Sequence, residues 1–230
     1  MTAFIIYKAI MCVGIFVLLL ASAAYATLWE RKFAAFLQDR KGPSRAGWGG
    51  LLQPLADGVK MFMKEEIIPN VSNRALFILG PSLFMVTAVI TSAVVPWAKP
   101  VIIGGQTYDL QITDINIGVI YLLGVASIGV YGIMIGGWSS NNKFALLGAV
   151  RASSQMISYE IPMGIALIAL IISSGGSLSL KTIVEGQDAG LANIVWQPLG
   201  FLIFFICALA ETNRAPFDLP ECETELVGGY

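Results

Sequence analysis

"FALLGAVRASSQMISYEIPMGIALIALIIS", residues 144–173, decides the fold: in this whole stretch Arg151 and Glu160 are the only charged side chains. A soluble protein buries such a helix only at the centre of a large domain, and the rest of the chain offers no such setting. Of 230 residues, 56% are hydrophobic and 13% charged, with a mean hydropathy of +0.75. That leaves too little polar surface to cover a globule of this size. A membrane-spanning helix needs about 20 mainly apolar residues, and four further segments qualify beside Phe144 to Ser173: about Phe4 to Trp29, Leu76 to Trp97, Ile115 to Trp138 and Ile194 to Ala210. The alternation of a transmembrane β-barrel is absent. The expectation is an all-α integral membrane protein with about five transmembrane helices.

The two charges of the first stretch differ in depth. Arg151 stands near one end and can snorkel, whereas Glu160, in "SYEIPMG", lies deep in the span. Nine positions of helix amount to about 900°, half a turn once whole turns are removed, so the two side chains point to opposite faces. Glu160 must therefore be protonated, paired with another segment, or hydrated inside the protein. Pro162 follows it, freeing a backbone carbonyl and favouring a kink or a bound water.

Composition also removes several chemistries. Cys12 and Cys207 lie in apolar runs and Cys222 stands among acids, a spacing that provides no ligand set for an iron–sulfur cluster, haem or zinc, so no metal site is expected. The chain has no histidine. Any proton relay must use carboxylates, Lys, Tyr or water, and electrons cannot be carried by a cofactor bound to this chain alone. A net charge of −1 argues against nucleic acid as a partner.

Charge asymmetry sets an orientation. "LLLASAAYA", residues 18–26, resembles a cleavable leader, but the apolar run from Ala9 to Trp29 is too long for an ordinary one. Lys8 precedes it, and Arg31, Lys32, Arg40, Lys41 and Arg45 follow, so a retained helix with its N-terminus outside is expected. The segments from Glu30 to Arg74, Ser139 to Arg151 and Glu211 onward then share the cytoplasmic or matrix face, with 11 of the 14 Lys and Arg residues. Within the first of these, residues 47–66, "GWGGLLQPLADGVKMFMKEE", set Trp48, Leu51, Leu52, Leu55, Val59 and Phe62 on one helical face, and Gln53, Asp57, Lys60 and Lys64 on the other. Such a helix belongs in the membrane interface, either as an anchor or as one wall of a lateral opening for a lipid-like substrate. Pro54 and the pair Gly49–Gly50 leave its start open.

The last stretch, "AETNRAPFDLPECETELVGGY" (residues 210–230), gathers Glu211, Asp218, Glu221, Glu223 and Glu225, five of the 15 acids. Asp218 can cap a helix that begins at Pro220, with Glu221 completing the box. Capping leaves Glu223, Glu225 and Glu211 without a reason, and Glu211 ends an apolar helix where the dipole disfavours negative charge. Crowded carboxylates raise one another's pKa and titrate together, so the group is a candidate proton-handling cluster. Pro216 and Pro220 make it a structured loop able to move as a unit.

Three stretches carry a resemblance. "ERKFAAFLQDRKGPSRAGWGGLLQPLADGVKMFMKE", "SNNKFALLGAVRASSQMISYEIP" and "LAETNRAPFDLPECETELVGGY" closely resemble the H-subunit family of bacterial NADH:quinone oxidoreductase, counterpart of mitochondrial complex I subunit 1. The resemblance implies a heel subunit of the membrane arm, beside the peripheral-arm quinone-site and iron–sulfur subunits, with FMN and the clusters on those partners. It implies that Glu30, Arg31, Arg40, Asp57 and Phe217 line or border a tunnel for ubiquinone or menaquinone. It further implies that Glu160, Glu211, Asp218, Glu221, Glu223 and Glu225 link that tunnel to a proton path, in a multi-pass protein of the bacterial inner membrane. Family members usually carry about eight spanning helices. This sequence is therefore expected to be an N-terminal fragment: a single membrane domain over 1–230 in which residues 211–230 form an acidic cytoplasmic loop and the start of the next helix. Related subunits serve membrane-bound hydrogenases and other donor-specific complexes. A carboxylate-based secondary cation transporter is the alternative from another class, although no internal repeat supports it.

Overall fold

The computed structural model describes residues 2–103, 105–188, 190–213, 216–218 and 229. Backbone packing divides the chain into two compact units, Met1–Ile67 and Ile68–Tyr230.

In the first unit, helix α1 runs from Thr2 to Leu37. At 1.5 Å per residue its 36 residues extend about 54 Å, well beyond a hydrocarbon core of about 30 Å. The helix thus continues two turns past Trp29, the end expected from hydropathy, because "RKFAAFL" holds good helix formers and no Gly or Pro. It stops in a Schellman-type turn: Asp39 takes a left-handed φ of 51° and the Arg40 N–H donates to the Ala35 carbonyl at 3.0 Å. The chain then folds back, and a β-carbon on Gly42 would lie 3.2 Å from Lys32 Cα. Gly50 adopts φ 85° against the Pro43 carbonyl, a site with no room for a side chain. Helix α2 covers Gln53–Met63, shorter than the expected 47–66, because Gly47, Gly49 and Gly50 all take positive φ before it and Lys64 is extended after it. Leu55, Val59 and Phe62 are exposed on one side of α2.

The second unit is built on α3 (Arg74–Thr91), α4 (Gly118–Ser139), α5 (Lys143–Ser173) and α8 (Pro198–Glu211), packed in that order, each on the next. The α3–α4 seam is glycine-mediated: a β-carbon on Gly80 would lie 2.9 Å from the Gly132 carbonyl oxygen, and one on Gly132 would lie 2.8 Å from that of Gly80. Small residues let two membrane helices touch backbone to backbone, where dispersion contacts replace the hydrophobic drive absent in lipid. Asn141, with φ 52°, turns the chain, and the Asn142 side chain caps α5 by accepting from the Phe144 N–H at 3.1 Å. The core between α4, α5 and α8 holds Ile133, Ala149, Ala152, Met156, Tyr159, Met163, Cys207 and Ala210.

Two features were not expected from sequence. Strands β1 (Val101–Ile103) and β2 (Gln106–Tyr108) pair antiparallel in the α3–α4 loop, with Ile102 opposite Thr107. The Gly104–Gly105 pair between "VII" and "QTY" was the available hairpin signal. The segment 194–210, expected as one span, divides into α7 (Asn193–Trp196) and the 14-residue α8, with α6 (Leu180–Gly186) before them. Pro198 cannot continue the first turn, and Gln197 at the break donates its side-chain amide to the Ala169 carbonyl of α5 at 3.0 Å. Four described helices are therefore long and apolar enough to cross a membrane, joined by one shorter apolar helix. The chain is an all-α membrane protein.

Candidate functional site

In the second unit, α5 presents Gln155, Ser158, Tyr159 and Pro162, spaced three and four apart, to Ile203, Ile206, Cys207 and Ala210, which repeat that spacing on α8. With Phe217 they line a largely apolar cleft of about 380 Å³. At its edge the Tyr159 hydroxyl donates to Glu211 Oε2 at 2.8 Å. Tyr159 is only 8% exposed. Glu211 is the last residue of α8, where the helix dipole opposes its charge, and the phenol supplies a local donor in compensation. Glu160, one residue on and about 100° round the helix, is half-buried, within hydrogen-bonding reach of Ser127 of α4 and within electrostatic reach of the Glu211 carboxylate. Arg151 is exposed.

Phe217 is half-buried against the same core, and its carbonyl accepts from Gln155 Nε2 at 3.2 Å. Asp218 beside it is also half-buried and engaged. Glu221, Glu223 and Glu225, together with Cys222, lie outside the described residues, as does the helix expected from Pro220. Of the six expected proton-handling acids, the structure therefore brings Glu160 and Glu211 together. Sequence reading missed three partners: Tyr159, Ser127 and Gln155. The signal was present for two of them, because Gln155 and Tyr159 share a helical face with Pro162.

In the first unit, Arg31 Nη1 donates to Asp57 Oδ2 at 2.7 Å, and Gln53 Nε2 donates to Asp57 Oδ1 at 3.0 Å. One carboxylate thus ties α1 to the first turns of α2. The hydrogen bonds from Gln53 and Arg31 hold the Asp57 carboxyl below its usual range. Lys32, the next residue, donates to the Gly49 carbonyl at 2.5 Å and pins the glycine turn that precedes α2. Glu30 is exposed and engaged, and Arg40 is exposed with its Nε on Gln38 Oε1 at 2.7 Å. The structure brings Arg31 and Asp57 together from the expected tunnel set, and Phe217 belongs to the other unit.

The arrangement can do two kinds of chemistry. A phenol, two carboxylates and a serine hydroxyl on neighbouring helices can hold and hand on protons within an apolar bundle. A fixed guanidinium–carboxylate pair beside an amphipathic helix can orient a polar group on a lipophilic molecule.

The comparisons with known proteins agree over nearly the whole chain. The NADH dehydrogenase family profile matches residues 10–230. The NADH-quinone oxidoreductase H subunit 1 of Cytophaga hutchinsonii is 62% identical over 227 residues, covering 99% of this chain and 66% of that protein. The NADH-quinone oxidoreductase H subunit of Flavobacterium johnsoniae is 59% identical over 229 residues, 100% of this chain and 65% of that protein. The corresponding H subunit 2 of Geobacter metallireducens is 48% identical over 239 residues, 99% of this chain and 69% of its own length. The chain spans just under two thirds of the Cytophaga and Flavobacterium relatives. With a matched profile from residue 10 to residue 230 and identities of this size, the chain belongs to the NADH dehydrogenase family.

Proposed function

We propose that this chain acts as the H subunit of a proton-translocating NADH:quinone oxidoreductase in a bacterial inner membrane, forming part of the quinone-access tunnel and coupling quinone reduction to proton transfer. The observation that carries the coupling reading is the Tyr159–Glu211 hydrogen bond inside the apolar α5–α8 seam, with Glu160 adjoining it. Intramembrane carboxylates are costly to maintain, and one whose donor and neighbouring acid both lie on other positions of the bundle suits a relay better than an anchor. The Tyr159 hydroxyl and the Glu211 carboxylate share a direct hydrogen bond, and Glu160 lies within electrostatic reach of that carboxylate, so a proton has a short route among the three groups. Asp218 and the loop acids Glu221, Glu223 and Glu225 would extend this path toward the cytoplasmic face.

On the quinone side, Glu30, Arg31, Arg40, Asp57 and Phe217 would line or border the tunnel, with α2 in the membrane interface. Arg31 supplies a fixed cation for a quinone oxygen or keeps Asp57 in register, and the apolar side of α2 faces the isoprenoid tail. Electrons would come from iron–sulfur clusters and FMN on partner subunits, because the chain's cysteines at 12, 207 and 222 form no ligand set. Ubiquinone and menaquinone both satisfy this chemistry.

The test is reconstitution of the complete complex in proteoliposomes with Glu160→Gln or Glu211→Gln, measuring quinone reduction and proton uptake together. The expected result is a lowered proton-to-electron ratio and a changed pH profile of turnover. Normal values for both in an assembled complex would overturn the coupling role.

A further inference from the structure

Helix α6 separates two cavities of opposite character beside the Ser173 end of α5. Its Lys181 and Glu185 side borders a cleft of about 250 Å³ shared with Lys99, Asp109 and Asp188. Two ion pairs form there, Lys181 with Asp109 at 3.1 Å and Lys99 with Asp188 at 2.8 Å, beside Glu185. The Thr182 side borders a larger cavity, about 620 Å³, whose polar groups come from Ser173, Ser174, Thr182, Gln187, Asn193 and Gln197. Among the described residues that line it there is no Asp, Glu, Lys or Arg. Ile183, Gln187, Asn193 and Gln197 also line a second cavity of about 470 Å³ that continues between α5 and α8 against Leu167, Leu170, Phe201 and Phe204. A polar, uncharged chamber thus adjoins an apolar slot between two membrane helices. Each chamber falls in the range of about 300–1,000 Å³ typical of ligand sites.

We propose that this double cavity binds one membrane lipid with a net-uncharged head group, the head lying against the hydroxyls and amides and one acyl chain filling the slot. The chemistry selects both ends. An apolar slot of this size gains nothing from water, whereas an acyl chain is present at this depth. A net anionic head group would enter the polar chamber without a counter-ion, because Lys181 is directed to Asp109 on the other side of α6, and an unpaired charge leaving water is strongly disfavoured. A head group whose charges cancel avoids that cost and still accepts hydrogen bonds from the hydroxyls and amides. Trp196 borders the polar chamber and is 69% exposed, which suits an indole at head-group level.

The test uses the assembled complex and a phosphatidylethanolamine carrying a photoreactive group in one acyl chain, with labelled positions mapped by mass spectrometry. Labelling is expected within residues 167–204, displaced about tenfold more effectively by unlabelled phosphatidylethanolamine than by phosphatidylglycerol or cardiolipin. Gly200→Leu should abolish that labelling and leave labelling elsewhere intact, since a β-carbon there meets only Gln197, at 3.5 Å. Thr182→Val should reduce the head-group preference, and it decides the matter if Gly200→Leu impairs assembly. Quinone reductase activity should be unchanged in both variants. Equal displacement by all three lipids would reduce the site to ordinary bilayer contact and overturn the proposal. Absence of lipid label, with cross-links from this face to another polypeptide segment, would overturn it in favour of a protein occupant.

Discussion

Two carboxylates of this protein each accept a short hydrogen bond from a side chain distant in sequence, and their surroundings make them different devices. Asp57 takes Arg31 at 2.7 Å with the two side chains 35% and 55% exposed, while Glu211 takes Tyr159 at 2.8 Å on a phenol that is 8% exposed. The first pair sits in high dielectric, is screened by salt, and adds little to stability, so its value is positional. The second sits in an apolar seam, where a polar group left without its partner carries the full desolvation cost. Equal distances therefore imply unequal energies, and the bundle, not the contact, sets the difference.

The largest effect comes from destroying the apolar surroundings themselves. Gly132→Leu places side-chain atoms where the Gly80 carbonyl oxygen lies 2.8 Å from the new β-carbon, and the helices must separate. A cost of about 3 kcal/mol or more is expected, at the top of the overpacking range. Native gel electrophoresis should show little assembled complex; wild-type levels would mean the α3–α4 seam is looser than described.

Tyr159→Phe comes next. It keeps the ring and leaves Glu211 without its donor, with an expected loss of about 1–3 kcal/mol in stability. Thermal unfolding of the purified complex measures it. Combining it with Glu211→Gln should recover part of the loss, because a neutral amide is cheaper to leave in the seam than a carboxylate. Strict additivity of the two changes would indicate that the hydrogen bond contributes nothing of its own.

Arg31→Ala tests the exposed pair, and its effect should appear in activity and not in stability. Quinone reductase activity should fall, while NADH oxidation by an artificial acceptor that takes electrons upstream is preserved. Equal loss of both in an assembled complex would remove the tunnel role. The pH dependence has a definite sign: the Asp57 carboxyl is held below its usual 3.8, so its contribution is present above that value and disappears only as pH falls through the lower folded value. Activity attributable to this pair should accordingly be flat from pH 5 to 8.

Lys181→Met should give the smallest change, at most about 1 kcal/mol in the thermal stability of the complex, because the Lys181–Asp109 pair is open to solvent, with the two side chains 29% and 54% exposed. The hydrogen bond to Asp109 raises the Lys181 pKa above its usual 10.5, so the contribution is complete below that value and lost as pH rises through the folded one. A large effect at pH 7 would show that the charged side of α6 does more than tie two loops together.

Sequence alone determined the solvent and four of the five expected spans, and it nominated the candidate chemistry. Apolar length separates a membrane helix from a soluble one without reference to neighbours, which is why the regions of α1, α3, α4 and α5 were all found and why Glu160 stood out as an acid at membrane depth. Periodicity likewise placed Asp57 on the polar side of α2 and Leu55, Val59 and Phe62 on the other. The tertiary structure decided which groups meet. Tyr159 precedes Glu160 directly, and nothing local says that the phenol turns to α8 while the acid faces Ser127 on α4. That depends on how α4 and α8 pack against α5, 30 to 50 residues away in the chain. The break at Gln197–Pro198 and the late start of α8 were hidden for a related reason, since hydropathy averages over a proline that hydrogen bonding cannot ignore. Burial preference is a property of each residue and can be read along the chain. Partnership is a property of pairs, and it exists only once the helices are packed.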